Sequence, residues 1–142
     1  MINKRRAIIV GLKGYKITTK EINFLKKYRP WGIILFSRNI KSITQTQLLT
    51  KKIRSIFKDK NYPIIIDEEG GKVSRLRAFI DNSLFSAKFF GKLFYKNRKK
   101  FNIYYKVYVN QICHLLNLLG ININAFPVLD LYRENSHNII GS

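Results

Sequence analysis

Apolar residues recur along the chain in two rhythms: short unbroken runs, and longer stretches spaced by three and four. The run from Ala7 to Val10 predicts a first strand over Arg6–Val10, closed by Gly11 and Gly14. Thr18 and Glu21 stand at capping-box spacing, so a helix is predicted to start there, run through Ile22, Leu25 and Tyr28, and stop at Pro30. Gly32–Phe36 reads as a second strand, followed by the polar turn Ser37-Arg38-Asn39. Ser42 can cap a second helix carrying Leu49, Ile53, Ile56 and Phe57, which Asn61-Tyr62-Pro63 breaks. Ile64–Ile66, three β-branched residues in a row, predicts a third strand buried on both faces. Beyond Leu76 the rhythm loosens, and Ala78–Asn97 reads as a long loop with a short helix. The charged run Lys96–Lys100 reads as a solvated turn. Tyr108, Ile112, Leu115, Leu116 and Leu119 then define a strong helix with Gly120 just past its end, and Ile121–Leu129 reads as a fourth strand.

This order predicts an α/β protein with a parallel sheet and right-handed crossovers. Two architectures fit it, a small open sandwich or the first half, about four β/α units, of a (β/α)8 barrel. An intact barrel takes about 250 residues, and this chain has 142. Its 46% hydrophobic content is enough for one packed domain spanning 1–142. No apolar run approaches the roughly 20 residues that cross a bilayer. The basic start, Met1–Arg6, precedes a run too short for a signal peptide. The expectation is therefore a cytoplasmic protein with no membrane partner. The single cysteine, Cys113, lies on an apolar helical pattern and is expected to be a buried core thiol, with no disulfide and no metal cluster.

Charge changes the picture in two ways. Lys and Arg number 27 against 8 Asp and Glu, a net charge of +19 that brings nucleic acid into consideration. The cations are spread along the chain, however, and the joint abundance of Lys, Asn, Ile, Tyr and Phe is what an AT-rich genome produces. Nucleic acid is not the expected partner. Scarcity also makes the carboxylates informative, because Asp67, Glu68, Glu69 and Asp130 lie at or just past the ends of predicted strands. The carboxyl edge of a parallel sheet is where α/β folds hold their ligands. Asp67-Glu68-Glu69-Gly70-Gly71 is thus the candidate site, open at this point to a metal-binding, acid–base or architectural reading.

Four ordered motifs carry a resemblance across nearly the whole chain. Gly11-x-x-Gly14 with Pro30-x-Gly32-Ile33-Ile34-Leu35-Phe36-x-Arg38-Asn39-Ile40 is the first. Ile66-Asp67-Glu68-Glu69-Gly70-Gly71-Lys72-Val73-x-Arg75-Leu76 is the second. Leu119-Gly120-Ile121-Asn122 with Pro127-Val128-Leu129-Asp130-Leu131, and Asn138-x-Ile140-Gly141, complete the set. Together they resemble the amino-terminal domain of glycoside hydrolase family 3, in particular the bacterial β-N-acetylhexosaminidases of peptidoglycan recycling.

The resemblance implies a (β/α)8 barrel that hydrolyses terminal β-N-acetylglucosamine with retention, through a covalent glycosyl-enzyme. It implies that Asp67 and Arg75 bind the sugar hydroxyls. Arg38, Glu68, Glu69, Gly70, Gly71 and Asp130 are then supports of the turn and strand ends. It implies no cofactor or metal, and muropeptide-type glycans as partners. The family's nucleophilic Asp and its acid/base His motif have no counterpart in these residues. His114 and His137 do not match that motif, so the chain carries no catalytic residue and is expected to be a truncated piece, inactive alone. Ala125-Phe126 stands where the family has Phe-Ala, Phe85 in Leu84-Phe85-Ser86-Ala87 where it has Pro, and Lys72 where it has Arg. The alternatives are a non-catalytic half-barrel that associates with itself through its exposed edges and, behind it, a basic nucleic-acid-binding protein.

Overall fold

The computed structural model describes residues 5–129. Four parallel strands form one sheet in the order β1-β2-β3-β4, at Arg6–Gly11, Pro30–Leu35, Ile64–Ile66 and Ile123–Asn124. Helices α1 (Thr19–Tyr28) and α2 (Ile43–Phe57) connect the first three strands, and α3 (Ala87–Lys96) and α4 (Arg98–Leu119) separate β3 from β4. Sequential order with every pairing parallel is the layout of the first part of a (β/α)8 barrel.

Local chemistry sets the boundaries. The Thr18 hydroxyl accepts from the Glu21 N–H while the Glu21 carboxylate accepts from the Thr18 N–H, the reciprocal box read from the sequence. Arg29 takes a left-handed conformation at the end of α1, and Pro30 then begins β2 at a position where a missing N–H is tolerated. Ser42 caps α2 by accepting from the Gln45 N–H. All three residues of β3 are buried, and Ile64 and Ile66 pack with Ile33, Leu35, Ile53, Ile112, Leu116 and Leu119 in a single core. By contrast β1 is an edge strand, with Ile8 and Ile9 exposed at 43% and 50%.

Three expectations need correction. The run Lys96–Lys100 is not a solvated turn between elements. Asn97 ends α3, donating its N–H to the Leu93 carbonyl, and its side chain accepts from the Lys100 N–H, so Arg98, Lys99 and Lys100 form the first turn of α4. The fourth strand is two residues long rather than nine. Its ladder is cut because the Asn124 side chain, not a backbone carbonyl, meets the Glu68 N–H, and because Pro127 brings no N–H. Cys113 is exposed. The core line of α4 runs through Tyr108, Ile112, Leu116 and Leu119, and Cys113 lies one residue, about 100°, off that line.

Candidate functional site

The site is built at the carboxyl end of β3, where side chains alternate between the core and the open end of the sheet. Ile66 is buried, Asp67 half-buried, and Glu68 is only 1% exposed. A carboxylate at that depth needs partners, and Glu68 has three donors. Its Oε2 accepts from the backbone N–H groups of Arg75 and Leu76 at 2.6 and 2.9 Å, and its Oε1 from the Asn82 amide at 3.3 Å. One buried acid therefore ties the segment leaving β3 to the segment that returns past it.

The turn between them needs both glycines. Gly70 and Gly71 have φ of +74° and +61°, a region that side-chain-bearing residues enter at a cost. A Cβ on Gly70 would also come within 2.3 Å of the Phe85 carbonyl oxygen and 2.6 Å of the Tyr108 hydroxyl. Glu69 donates its N–H to the Val73 carbonyl across the turn, and Gly71 to the Asn82 carbonyl. The Tyr108 hydroxyl is buried here without a protein partner, and burial pushes its pKa up to about 12.

Anchored this way, Arg75 turns back over the strand end and grips Asp67 with two parallel bonds, Nε to Oδ1 at 2.7 Å and Nη2 to Oδ2 at 2.6 Å. The hydrogen bonds that Arg75 donates to Asp67 lead the effects that raise the Arg75 pKa, and burial works against them. The Arg75 guanidinium also sits 5.6 Å from the centroid of the Phe36 ring. Arg38 covers the same ring at 4.5 Å and donates from Nε to the Leu12 carbonyl at 2.9 Å. Asp67, Arg75, Phe36 and Arg38 thus form one continuous layer over the ends of β1, β2 and β3. Asp67 keeps acceptor lone pairs, and Arg75 keeps N–H groups beyond the two it uses. The layer can accept and donate hydrogen bonds to a neutral polyol at adjacent points.

General acid–base hydrolysis would need two carboxyl groups facing a common space. Asp67 is committed to Arg75, and Glu68 is sealed by three donors. Among the described residues no group of three His, Cys, Asp or Glu is arranged to hold a metal ion. His114 is exposed on α4, in a shallow groove with Phe79, Gln111 and Leu115. It lies roughly 9 Å down the helix axis from Tyr108, away from the turn. Asp130 and His137 lie outside the described residues. A cleft of about 270 Å³ opens beside the turn, between Glu69, Gly70, Lys72, Ser86, Lys88 and Phe126, and includes neither Asp67 nor Arg75, so among the described residues Glu69 is the single carboxylate that lines it.

Two positioning residues carry no role in the sequence reading. Asn124 accepts from the Glu68 N–H at 2.9 Å and donates to the Glu68 carbonyl at 3.0 Å, closing the strand end with its side chain. Asn39 is fully buried, donates to the Leu12 and Gly14 carbonyls and accepts from the Phe36 N–H, which fixes the loop beneath Arg38. The signal for Asn124 is the alternation Ile121-Asn122-Ile123-Asn124, which puts amides at every second position of a strand.

No family profile matches the chain. A β-hexosaminidase of Xanthomonas campestris pv. campestris (strain B100) is 27% identical over 128 residues, which are 90% of this chain and 38% of that protein. NagZ from Neisseria gonorrhoeae, solved in complex with N-trifluoroacetyl-D-glucosamine, superposes with a TM-score of 0.70 at 27% identity, over 89% of this chain and 37% of that one. The chain is homologous to the amino-terminal part of the family 3 β-N-acetylhexosaminidases. A glycoside hydrolase family 3 β-N-acetylglucosaminidase from Paenibacillus sp. str. FPU-7 superposes with a TM-score of 0.61 at 25% identity, over 87% of this chain and 23% of that one. The chain therefore spans little more than a third of the β-hexosaminidase and NagZ chains it matches, and its four strands are the first part of the family 3 barrel. Among the described residues no helix is long and apolar enough to cross a membrane.

Proposed function

We propose that these residues supply the sugar-holding half of a retaining β-N-acetylhexosaminidase, with Asp67 and Arg75 gripping the hydroxyls of a terminal N-acetylglucosamine. The observation that carries this reading is the bidentate Asp67–Arg75 pair at the carboxyl end of β3, locked from below by Glu68. A fork of donors beside a carboxylate matches two neighbouring hydroxyls, one accepting and one donating. The glucosamine derivative held by the Neisseria gonorrhoeae relative supports the choice of sugar. The parent activity would act on muropeptide-type glycans in the cytoplasm, during peptidoglycan recycling. The carboxylates here bind and brace, so the nucleophile and the proton donor belong to other residues of such an enzyme.

The test has two parts. Titration of the 142-residue chain with N-acetylglucosamine, followed by NMR, is expected to shift the side-chain signals of Arg75. Arg75→Lys, which keeps the charge and loses the fork, is expected to weaken that binding by about ten-fold. On a chromogenic N-acetylglucosaminide the same chain is expected to show no turnover above background. Robust hydrolysis that Asp67→Ala abolishes would overturn the assignment of Asp67 to binding alone.

A second reading has its own observation. The exposed apolar residues of β1, Ile8 and Ile9, and the single pairing partner of β4 leave two sheet edges open among the described residues. A half-barrel that pairs with another copy would cover them. Sedimentation of the chain distinguishes the two: a monomer at every concentration removes the self-pairing reading.

A further inference from the structure

Helix α4 is longer than the sheet it covers. Tyr108 meets the turn at the carboxyl end of β3, and Leu119 lies fully buried at the other end of the helix, one residue before the Gly120 cap. The ten residues from Arg98 to Val107 therefore extend about 15 Å beyond the sheet. Helix α3 runs antiparallel beside them, held by aromatic contacts. The Phe90 ring lies 5.0 Å from Tyr105 and 5.1 Å from Tyr108, and Phe94 lies 5.1 Å from Phe101. The α3–α4 hairpin is thus a stiff projection on the same side of the sheet as Asp67 and Arg75.

The projection has an unusual surface. From 82 to 129 the sequence holds no Asp or Glu, while Lys88, Lys92, Lys96, the Arg98–Lys100 triplet and Lys106 all lie on the hairpin. The triplet fills the first turn of α4, where the helix dipole disfavours cations. Among these cations stand large apolar groups in open solvent: Tyr95 is 89% exposed, Ile103 60%, Tyr104 52% and Val107 50%. Lys100, Ile103, Tyr104 and Val107 follow one another at i, i+3, i+4 and i+7, so cation and apolar groups share one outward face of α4.

We infer that the α3–α4 hairpin docks on an anionic lipid bilayer surface. The uniform charge selects a polyanionic partner. The aliphatic groups choose between the two large classes of polyanion. A nucleic acid would pair with the cations and stack on tyrosines but leave Ile103 and Val107 in water, whereas a headgroup–acyl boundary takes up aliphatic and aromatic side chains alike and lets lysines extend to the phosphates. A hairpin seated this way turns the carboxyl end of the sheet, and with it Asp67 and Arg75, toward the membrane.

Co-sedimentation of the 142-residue chain with phosphatidylcholine vesicles, with or without about a third of phosphatidylglycerol, tests this. Binding is expected only to the anionic vesicles, and to fall steeply as salt rises to about 0.5 M. Reversal of Lys96, Arg98, Lys99 and Lys100 to Glu is expected to lower binding at least about ten-fold. The same number of reversals at the exposed Lys20, Lys26, Lys51 and Lys60 is expected to leave most of it. Tyr95→Ser, at a side chain that packs little, is expected to weaken binding without loss of the folded circular dichroism spectrum. Equal losses from the two four-residue variants would reduce the effect to net charge and overturn the inference. So would absence of vesicle binding, or hairpin-dependent binding to single-stranded DNA alone.

Discussion

The turn after β3 and the hairpin that follows it are neighbours in sequence and in space, and they treat charge in opposite ways. In the turn, the buried Glu68 is matched to three donors and Asp67 to both arms of Arg75. On the hairpin, seven cations share a surface with no carboxylate between 82 and 129. The first arrangement fixes geometry before any ligand arrives. The second gathers like charges on one projection, and their mutual repulsion is a cost to the free protein. The contrast teaches that the acids of the turn are committed to partners that shape it, while the hairpin concentrates cations on a segment that holds no acid of its own.

The largest expected effect breaks the turn. Glu68→Ala strands the N–H groups of Arg75 and Leu76 and the Asn82 amide, and should cost about 3–5 kcal/mol of stability in urea unfolding. A loss below about 1 kcal/mol would show that water replaces the carboxylate and that the anchor is dispensable. Gly70→Ala comes next, at about 2–3 kcal/mol, because it combines a positive φ with contacts to the Phe85 carbonyl and the Tyr108 hydroxyl that are too short. Thermal melts of this variant and of Gly91→Ala, where an added Cβ meets nothing within 4 Å, give the comparison its control.

Alkaline pH probes the seam between the two regions. Burial raises the pKa of Tyr108, and of Tyr62 in the core, to about 12 in the folded protein. Because the folded pKa is above the unfolded value near 10, the protonated phenols favour the fold below about pH 10, and that contribution is lost as pH rises toward 12. Unfolding followed by tyrosinate absorbance should therefore begin in that window, and Tyr108→Phe should shift its onset upward. The smallest effect sharpens the hairpin side. Lys99→Glu puts an acid in the first turn of α4 and should stabilise the chain by about 0.3–1 kcal/mol at low salt, with the gain shrinking as salt is added. A loss of stability instead would mean that Lys99 has a structural partner after all.

Much of this was legible in the sequence, for reasons that differ from element to element. The strands β1 to β3 were readable because apolar runs between breakers have few other solutions, and the Thr18–Glu21 and Ser42 caps because their signals are local. The start of α4 was not, because a run of four cations among Lys96–Lys100 looks like solvent-facing turn until Asn97 is seen to cap one helix and end another. The shortness of β4 was hidden for a related reason: it depends on an Asn side chain taking a ladder position, and no periodicity reports that. At the site, the sequence marks Glu68 only as one of three adjacent acids at a strand end, and its burial with three donors is visible only in the structure. The pairing of Asp67 with Arg75 could not be read from spacing, since both were singled out as partners of a ligand and not of each other. The amides of Asn39 and Asn124 donate to carbonyls 25 and 56 residues away, partners that no local pattern identifies.

The reach of Asn124 also bears on the order in which the protein can be made. Its amide closes the end of β3 only after α3, α4 and the first residues of β4 have been synthesised. A chain emerging amino-terminus first can pair β1, β2 and β3 while that strand end is still open. The turn after β3 is then among the last parts of this sheet to become rigid, and the long loop that must close to bring Asn124 home carries the hairpin as cargo.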